Sequence, residues 1–345
     1  MLSNIDQTTF DKLISFVVGY FDIHTEGTFG VLFHIGPINF SIYGFLVLAG
    51  LLLCFVFIYI EWKYKGHSTF HLGMIFGIAA IVGVFAAKWW YLIFNPSEFH
   101  SFYDLFALSG GRSILGSIVI GTFVVWLYSK FFIPEIEWAE IFSIMVPNIL
   151  IGQALARWGN FYDYNVYGQP IGESFTYIFS PELQKNIFDN WGITIPISEI
   201  TIYYQKDALG FLPDYISSGM LIWDKESLTL AYRTPLFLYE SLATFVAWIL
   251  ITFYMKRMNY FKDGTHGAMY FIFYGLIRSS MELFRDPAYI MTWGNFPTSF
   301  YLSLLILLSG IIMFIYFQWK NELKAWNQDF MFNLTIYYQL LKLKL

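Results

Sequence analysis

The chain has 345 residues, 57% hydrophobic and only 13% charged, with a formal net charge of -5 and a mean hydropathy of +0.53. Soluble domains carry about 25% charged residues, so an ordinary water-soluble fold is excluded. The aromatic share of 22% exceeds the needs of a core and points to Trp and Tyr at membrane interfaces. The one cysteine, Cys54, lies in an apolar run, which excludes an internal disulfide framework and makes it a small hydrophobe.

Residues 1–37 lack the basic start and clean apolar stretch of a signal peptide. Their apolar and acidic mix, with Asp11, Asp22 and Glu26, suggests a surface-lying helix before the first span. A bilayer core of about 30 Å takes roughly 20 apolar residues as a helix. Seven stretches qualify: Ser41–Ile60, Leu72–Phe94, Ile114–Phe132, Ala139–Arg157, Leu236–Tyr254, Gly267–Phe284 and Phe300–Phe317. The third opens on a Gly-rich run, Gly110–Gly121, that also suits a re-entrant segment. The expected fold is an all-α membrane protein, a seven-transmembrane-helix bundle with a small extracytoplasmic head between spans four and five. Segment 38–157 then holds spans one to four, 158–234 the head loop, 235–318 spans five to seven and 319–345 a cytoplasmic tail. The head carries short alternating stretches such as Ser198–Tyr204, which reads as irregular or β-containing. There is no internal repeat to support an inverted-repeat transporter.

Lys and Arg placement sets the orientation. Lys63, Lys65, Lys130, Lys256, Arg257, Lys262, Lys320, Lys324, Lys342 and Lys344 all fall on one side of this arrangement, the cytoplasmic side. The N-terminus is therefore expected outside and the C-terminus inside, in a multi-pass protein of the cell membrane.

Ionisable groups inside spans are costly and need a reason. Arg278, Glu282 and Arg285 are spaced four and then three apart, on one helical face that Tyr274 extends. Arg157 closes the fourth span, and Glu240 opens the fifth directly after Tyr239. Lys88 nears the outer end of span two, and Arg112 follows a Gly pair at the mouth of span three. Mutual pairing could account for some of these charges, and Lys88 and Arg285 can equally snorkel to the interface. The excess of cations at the outer ends nevertheless suits a phosphate, which a guanidinium grips in bidentate fashion.

Other patterns carry less. Gly73 and Gly77 form a helix-packing GxxxG. Six scattered histidines without HExxH spacing or a Cys partner predict no metal site. There is no P-loop and no G-x-S-x-G elbow. No cofactor and no nucleic-acid partner is expected.

The run Arg157-Trp158-Gly159-Asn160-Phe161-Tyr162-Asp163-Tyr164-Asn165-Val166-Tyr167-Gly168 resembles the G-R-x-G-N-F-x-N-x-E-x-x-G signature of prolipoprotein diacylglyceryl transferases. Further stretches match that family in the same order: Pro37 to Tyr43-Gly44, Gly110-Gly111-Arg112-Ser113-Ile114-Leu115-Gly116, and Pro235 to Tyr239-Glu240. The block from Tyr274-Gly275 through Arg278, Glu282, Arg285, Asp286 and Pro287 follows its Y-G-x-x-R-x-x-x-E-x-x-R-x-P pattern. The likeness covers nearly the whole transmembrane part but not the head or the tail. Leu115 stands where the family usually has His or Tyr. Asn165 replaces the signature Glu, and Asp163 its second Asn.

The resemblance implies transfer of the sn-1,2-diacylglyceryl group of phosphatidylglycerol to the lipobox cysteine thiol of a preprolipoprotein signal peptide, by a monomer working without a cofactor. It implies phosphate contacts from Arg157 and Arg278, with Arg285 or Arg112 in support, and headgroup hydrogen bonds from Asn160 and Tyr43. Gly168 joins the lipid-binding set; Tyr239, Glu240 and Asp163 support it. Glu282 holds an arginine in place, and the base is left open between Asp163, Glu282 and a thiolate already ionised. The lipid is expected to pass laterally between helices, with the head covering the outer mouth. A lipid transporter or flippase with an intramembrane arginine cluster is the alternative, but it needs charges along a path to both faces.

Overall fold

The computed structural model describes residues 31–35, 38–106, 114–162, 167–178, 185, 199–205, 208–224, 229–286, 290, 292–293 and 296–343. A hairpin, β1 (Val31–Ile35) with β2 (Ile38–Ser41), runs directly into helix α1 (Ile42–Tyr64). Most of the segment expected as a surface helix lies outside the described residues. Then come α2 (Thr69–Phe94), α3 (Ile114–Phe132), α4 (Trp138–Met145) and α5 (Ile149–Tyr162). After the head follow α7 (Leu236–Ile249), α8 (Thr265–Glu282) and α9 (Thr298–Leu343), with the short α6 described below.

The protein is mostly helical. Among the described residues, five helices are long and apolar enough to cross a membrane: Ile42–Tyr64, Thr69–Ile93, Trp138–Tyr162, Leu236–Arg257 and Thr298–Lys320. Helices also stand at the other two expected places. In α3 the apolar run is Ile120–Phe132, and α8 dilutes its apolar residues with Arg278 and Glu282. Ile114 onward is continuous helix; the preceding glycine pair and Arg112 lie outside the described residues.

Three of the expected spans are not plain α-helices. The fourth breaks between Met145 and Ile149, at Pro147, which has no N–H to give and crowds the preceding turn. Asn148 repairs the break. Its Nδ2 donates to the Ile144 carbonyl at 2.8 Å and its Oδ1 accepts from Trp248 Nε1 at 3.0 Å. The fifth widens into a π-helical turn, Leu250–Tyr254, before a 3-10 turn, Met255–Arg257. Helix α9 runs on past the expected span end and departs from helical geometry at Trp319 (φ -115°, ψ 18°).

Two compact units make up the chain. One comprises Met1–Leu52, Leu150–Ala247 and Phe273–Leu308; the other comprises Leu53–Ile149, Trp248–Ile272 and Ser309–Leu345. In the second unit Lys256 Nζ contacts both Glu61 carboxylate oxygens at 2.6 Å. Lys88 is buried there, with its Nζ 5.9 Å from the Tyr91 ring centre, rather than reaching out to solvent. Between α2 and α3, the backbone N–H groups of His100 and Ser101 donate to the Asp104 carboxylate at 2.8 and 2.7 Å. These two bonds hold Asp104 below the ordinary carboxylate range.

The first unit carries the head, a four-stranded sheet in the order β3-β4-β6-β5. Its strands are β3 (Glu173–Ile178), β4 (Glu199–Tyr204), β5 (Leu221–Asp224) and β6 (Thr229–Tyr232), with the short helix α6 (Asp214–Gly219) before β5. Strands β4 and β6 pair in parallel; the other neighbours are antiparallel. Strand β4 coincides with the alternating stretch noted in the sequence. A core of Phe161, Leu209, Met220, Ile222 and Phe237, flanked by Trp158 and Tyr167, joins the head to the ends of α5 and α7. Glycine permits backbone contact at two helix seams of this unit. A Cβ on Gly50 would stand 2.6 Å from the Gly152 carbonyl oxygen, and one on Gly275 would stand 2.6 Å from the Leu307 nitrogen. So α1 touches α5, and α8 touches α9, main chain to side-chain-free main chain.

Candidate active site

The site is assembled from α5, α7, α8 and the turn that follows α8, and its charged residues Arg157, Glu240, Arg278, Glu282 and Arg285 all belong to the first unit. Pro235 opens α7, where a residue without an N–H costs nothing, and its carbonyl accepts from Leu238 and Tyr239. One turn on, Ser241 Oγ donates to the Ala154 carbonyl at 2.7 Å, fixing α7 against α5. That register brings Glu240 to Arg157.

Five charged side chains then alternate in sign. Arg157 Nη2 lies 2.7 Å from Glu240 Oε1, and Arg278 Nη1 lies 3.4 Å from Glu240 Oε2. Arg278 Nη2 lies 3.8 Å from Glu282, and Arg285 Nη1 lies 3.6 Å from the same carboxylate. The last two contacts follow from helical spacings of four and three residues. Both carboxylates are deeply buried, 1% and 2% exposed, whereas Arg157, Arg278 and Arg285 keep 20%, 19% and 18% of their side chains open. The Glu282 carboxylate oxygens make no hydrogen bond among the described residues, so the flanking guanidiniums are their charged neighbours.

Burial of an isolated carboxylate is strongly unfavourable, so the glutamates hold here only because guanidiniums flank them. Among the described residues, three guanidiniums against two carboxylates leave one positive charge. That charge sits on the partly open arginines, in a setting where a fixed cation acts more strongly than in water. The ladder can bind a singly charged phosphate ester and stabilise negative charge developing on it.

The expected residues divide as follows. Arg157, Glu240, Arg278, Glu282 and Arg285 come together. Tyr43, in the first turn of α1, lies against Gly159, where a Cβ would come within 2.7 Å of the Tyr43 ring. Asn160 follows Gly159 on α5 and is buried. Tyr239 is half-buried beside Glu240. Gly168 lies in a crevice: a Cβ there would stand 2.7 Å from Thr234 Cβ and 2.9 Å from the Phe284 carbonyl oxygen. Its position is one of backbone packing, with its N–H donating to Thr234. Arg112, Asp163 and Asn165, and the side chain of Leu115, lie outside what the structure describes. No cluster of three or more metal-ligating side chains occurs among the described residues.

Sequence reasoning missed Arg233. Its guanidinium pairs with Asp286, donates to Thr229 Oγ1 at 3.2 Å and lies 5.0 Å from the Tyr167 ring centre. Arg233 is 1% exposed. An arginine in a polar loop raises no alarm in a hydropathy reading; only its position three residues before the fifth span could have drawn notice.

The comparisons with known proteins point one way. A phosphatidylglycerol–prolipoprotein diacylglyceryl transferase of Mycoplasmopsis pulmonis is 28% identical over 309 residues, covering 86% of this chain and 82% of the relative. The enzyme of the same name from Mycoplasmoides gallisepticum is 28% identical over 326 residues, 86% of this chain and 79% of its own length. That of Streptococcus equi subsp. equi is 24% identical over 284 residues, 82% of this chain and 92% of its own length. The family model for prolipoprotein diacylglyceryl transferase matches residues 30–316, and with five buried-charge partners placed as described, this chain belongs to the prolipoprotein diacylglyceryl transferase family.

Proposed function

We propose that this protein is a phosphatidylglycerol–prolipoprotein diacylglyceryl transferase, a membrane enzyme that carries out the first step of lipoprotein maturation. The observation that carries this reading is the charge ladder: three guanidiniums on two buried carboxylates, Arg157–Glu240–Arg278–Glu282–Arg285. Family membership supports the same reaction.

The thiolate of a lipobox cysteine attacks the glycerol carbon that bears the phosphate of phosphatidylglycerol. A carbon–sulfur bond forms, the carbon–oxygen bond to phosphate breaks, and the electron pair leaves with glycerol phosphate. Negative charge therefore grows on the leaving phosphate, and prearranged cations that meet it are the largest source of rate. Arg157 and Arg278 contact the phosphate, with Arg285 or Arg112 in support. Tyr43 and Asn160 hydrogen-bond the headgroup. Glu240 and Glu282 hold the guanidiniums in place so that little reorganisation is needed during reaction. The thiol proton goes to Glu282, to Asp163, or to solvent before binding. The nucleophile belongs to the substrate, so buried Cys54 takes no part.

The chain crosses the membrane seven times, with the N-terminus outside, the C-terminus in the cytoplasm and the head over the outer mouth. It works as a monomer. The test is direct: purified protein, phosphatidylglycerol vesicles and a lipobox peptide. The expected result is a diacylglyceryl mass gain on the peptide cysteine, absent when that cysteine is Ser. Absence of any gain from a folded protein overturns the reading.

A further inference from the structure

Arg233 and Asp286 are a second buried ion pair, next in the chain to the ladder. Asp286 directly follows Arg285, so a carboxylate is tethered one residue from a guanidinium that the ladder uses. Left without a cation of its own, it would be drawn to Arg285. Arg233 prevents this. It pairs with Asp286, is anchored by Thr229 Oγ1 and lies against the Tyr167 ring. Its backbone is fixed too, since its N–H donates to Met220 and it bridges to Pro170.

The chain around Asp286 is held from the other side as well. Gly168 bridges to Arg285, Gln169 N–H donates to the Phe284 carbonyl at 3.1 Å, and Thr234 N–H donates to Gln169 at 3.1 Å. The stretches 167–171, 232–234 and 284–286 are thus zipped into one unit, in which Arg233 supplies the charge that Asp286 requires. Among the described residues, four guanidiniums then face three carboxylates, a surplus of one positive charge, and without Arg233 they stand three against three.

Resting on the transferase reading above, we propose that Arg233 is a positioning residue for the headgroup site. By neutralising Asp286 it leaves Arg285 oriented on Glu282 and keeps the site net cationic for the phosphate of an anionic glycerophospholipid. Arg233 does not touch the reacting atoms.

The test is a set of variants in full-length protein: R233Q, R233K, and the double variant R233Q/D286N, each assayed for transfer against phosphatidylglycerol concentration. Loss of the cation alone raises KM for phosphatidylglycerol by about tenfold or more while kcat changes less. The double variant, which removes the competing carboxylate as well, returns KM to within about threefold of the parent. R233K, which keeps the charge but not the fork, falls between. A double variant as impaired in KM as R233Q, or worse, overturns the proposal, because a purely structural role gains nothing from deleting Asp286. If R233Q does not fold, the double variant decides alone by the same threefold limit. The unaltered protein is run alongside: its failure to transfer at all sinks the enzymatic reading, whereas transfer unaffected by R233Q sinks only this one.

Discussion

Arg157 and Glu240 meet at 2.7 Å, one at the end of the fourth apolar span and the other at the start of the fifth, with the whole head inserted between them in sequence. Glu240 also takes Arg278 on its other oxygen. A single buried carboxylate therefore fixes two of the three cations, and its loss is the expected weak point of the ladder.

Glu240→Gln is expected to lower stability by about 3–5 kcal/mol, because Arg157 loses Glu240 and Arg278 keeps only its longer contact to Glu282. Transfer should fall with it. Thermal unfolding in detergent, followed by a transfer assay at a temperature where the variant is still folded, separates the two effects. A variant as stable as the parent would show that the ladder is not what holds α5, α7 and α8.

Arg157→Lys keeps the charge but loses the planar fork that meets Glu240 and, in the proposed site, the phosphate. Its kcat/KM is expected to drop by about 100-fold, and Arg157→Ala should drop further, at the scale seen when one fixed donor to a developing anion is removed. Transfer by Arg157→Ala at near the parent rate would remove Arg157 from the phosphate site.

Gly168→Ala places a methyl 2.7 Å from Thr234 Cβ and 2.9 Å from the Phe284 carbonyl oxygen. Neither neighbour is a flexible side-chain tip, so the zipper must spread, at a cost of about 1–3 kcal/mol. The displaced segment leads into Arg285, so activity should decline as well. Hydrogen exchange at the amides of Gln169 and Thr234 reports the spreading, and unchanged protection would refute it.

Much of this site could be read from the chain, and the reason is energetic. Arg157, Arg278 and Glu282 stand out because a charge among apolar helical residues demands a partner, and spacing alone placed Arg278, Glu282 and Arg285 on one face. Glu240 was visible as the carboxylate nearest a span start, although its sharing between two arginines depends on how α5, α7 and α8 pack. Arg233 was invisible because polar loops tolerate arginine without any special partner. The break at Pro147 was written in the sequence but masked by the apolar residues on both sides. The π turn at Leu250–Tyr254 leaves no comparable mark. The alternation in Ser198–Tyr204 located β4, but not its parallel pairing with β6, which joins residues far apart in the chain.

Cys54 is buried within α1, in an apolar cluster with Ile58, Trp62 and Leu72. Cys54→Ser should retain transfer to within about twofold, since a small hydrophobe in an apolar cluster acts only through stability. A severe loss of turnover in a stable variant would call for a second nucleophile and a different mechanism.

Asp104 is partly exposed, and its depressed pKa comes first from the His100 and Ser101 amides. The sign follows from linkage. A carboxyl with a lowered folded-state pKa stabilises its turn above the unfolded-state value and loses that contribution as pH falls through the folded-state value. The turn at 101–105 should therefore loosen only in acid, below the ordinary carboxylate range, and Asp104→Asn should abolish that dependence. Amide exchange at His100 and Ser101 against pH is the measurement.

The glycine contacts bear on how a two-tailed lipid reaches the arginines. Hydrocarbon needs about 3.5–4 Å of clearance from each wall it passes, and the α1–α5 and α8–α9 seams are shut at Gly50 and Gly275 by backbone itself. No side-chain rotation can open them. In the proposed reaction, fatty tails of a headgroup at the ladder would have to pass elsewhere than these two points, and widening either contact would demand moving entire helices.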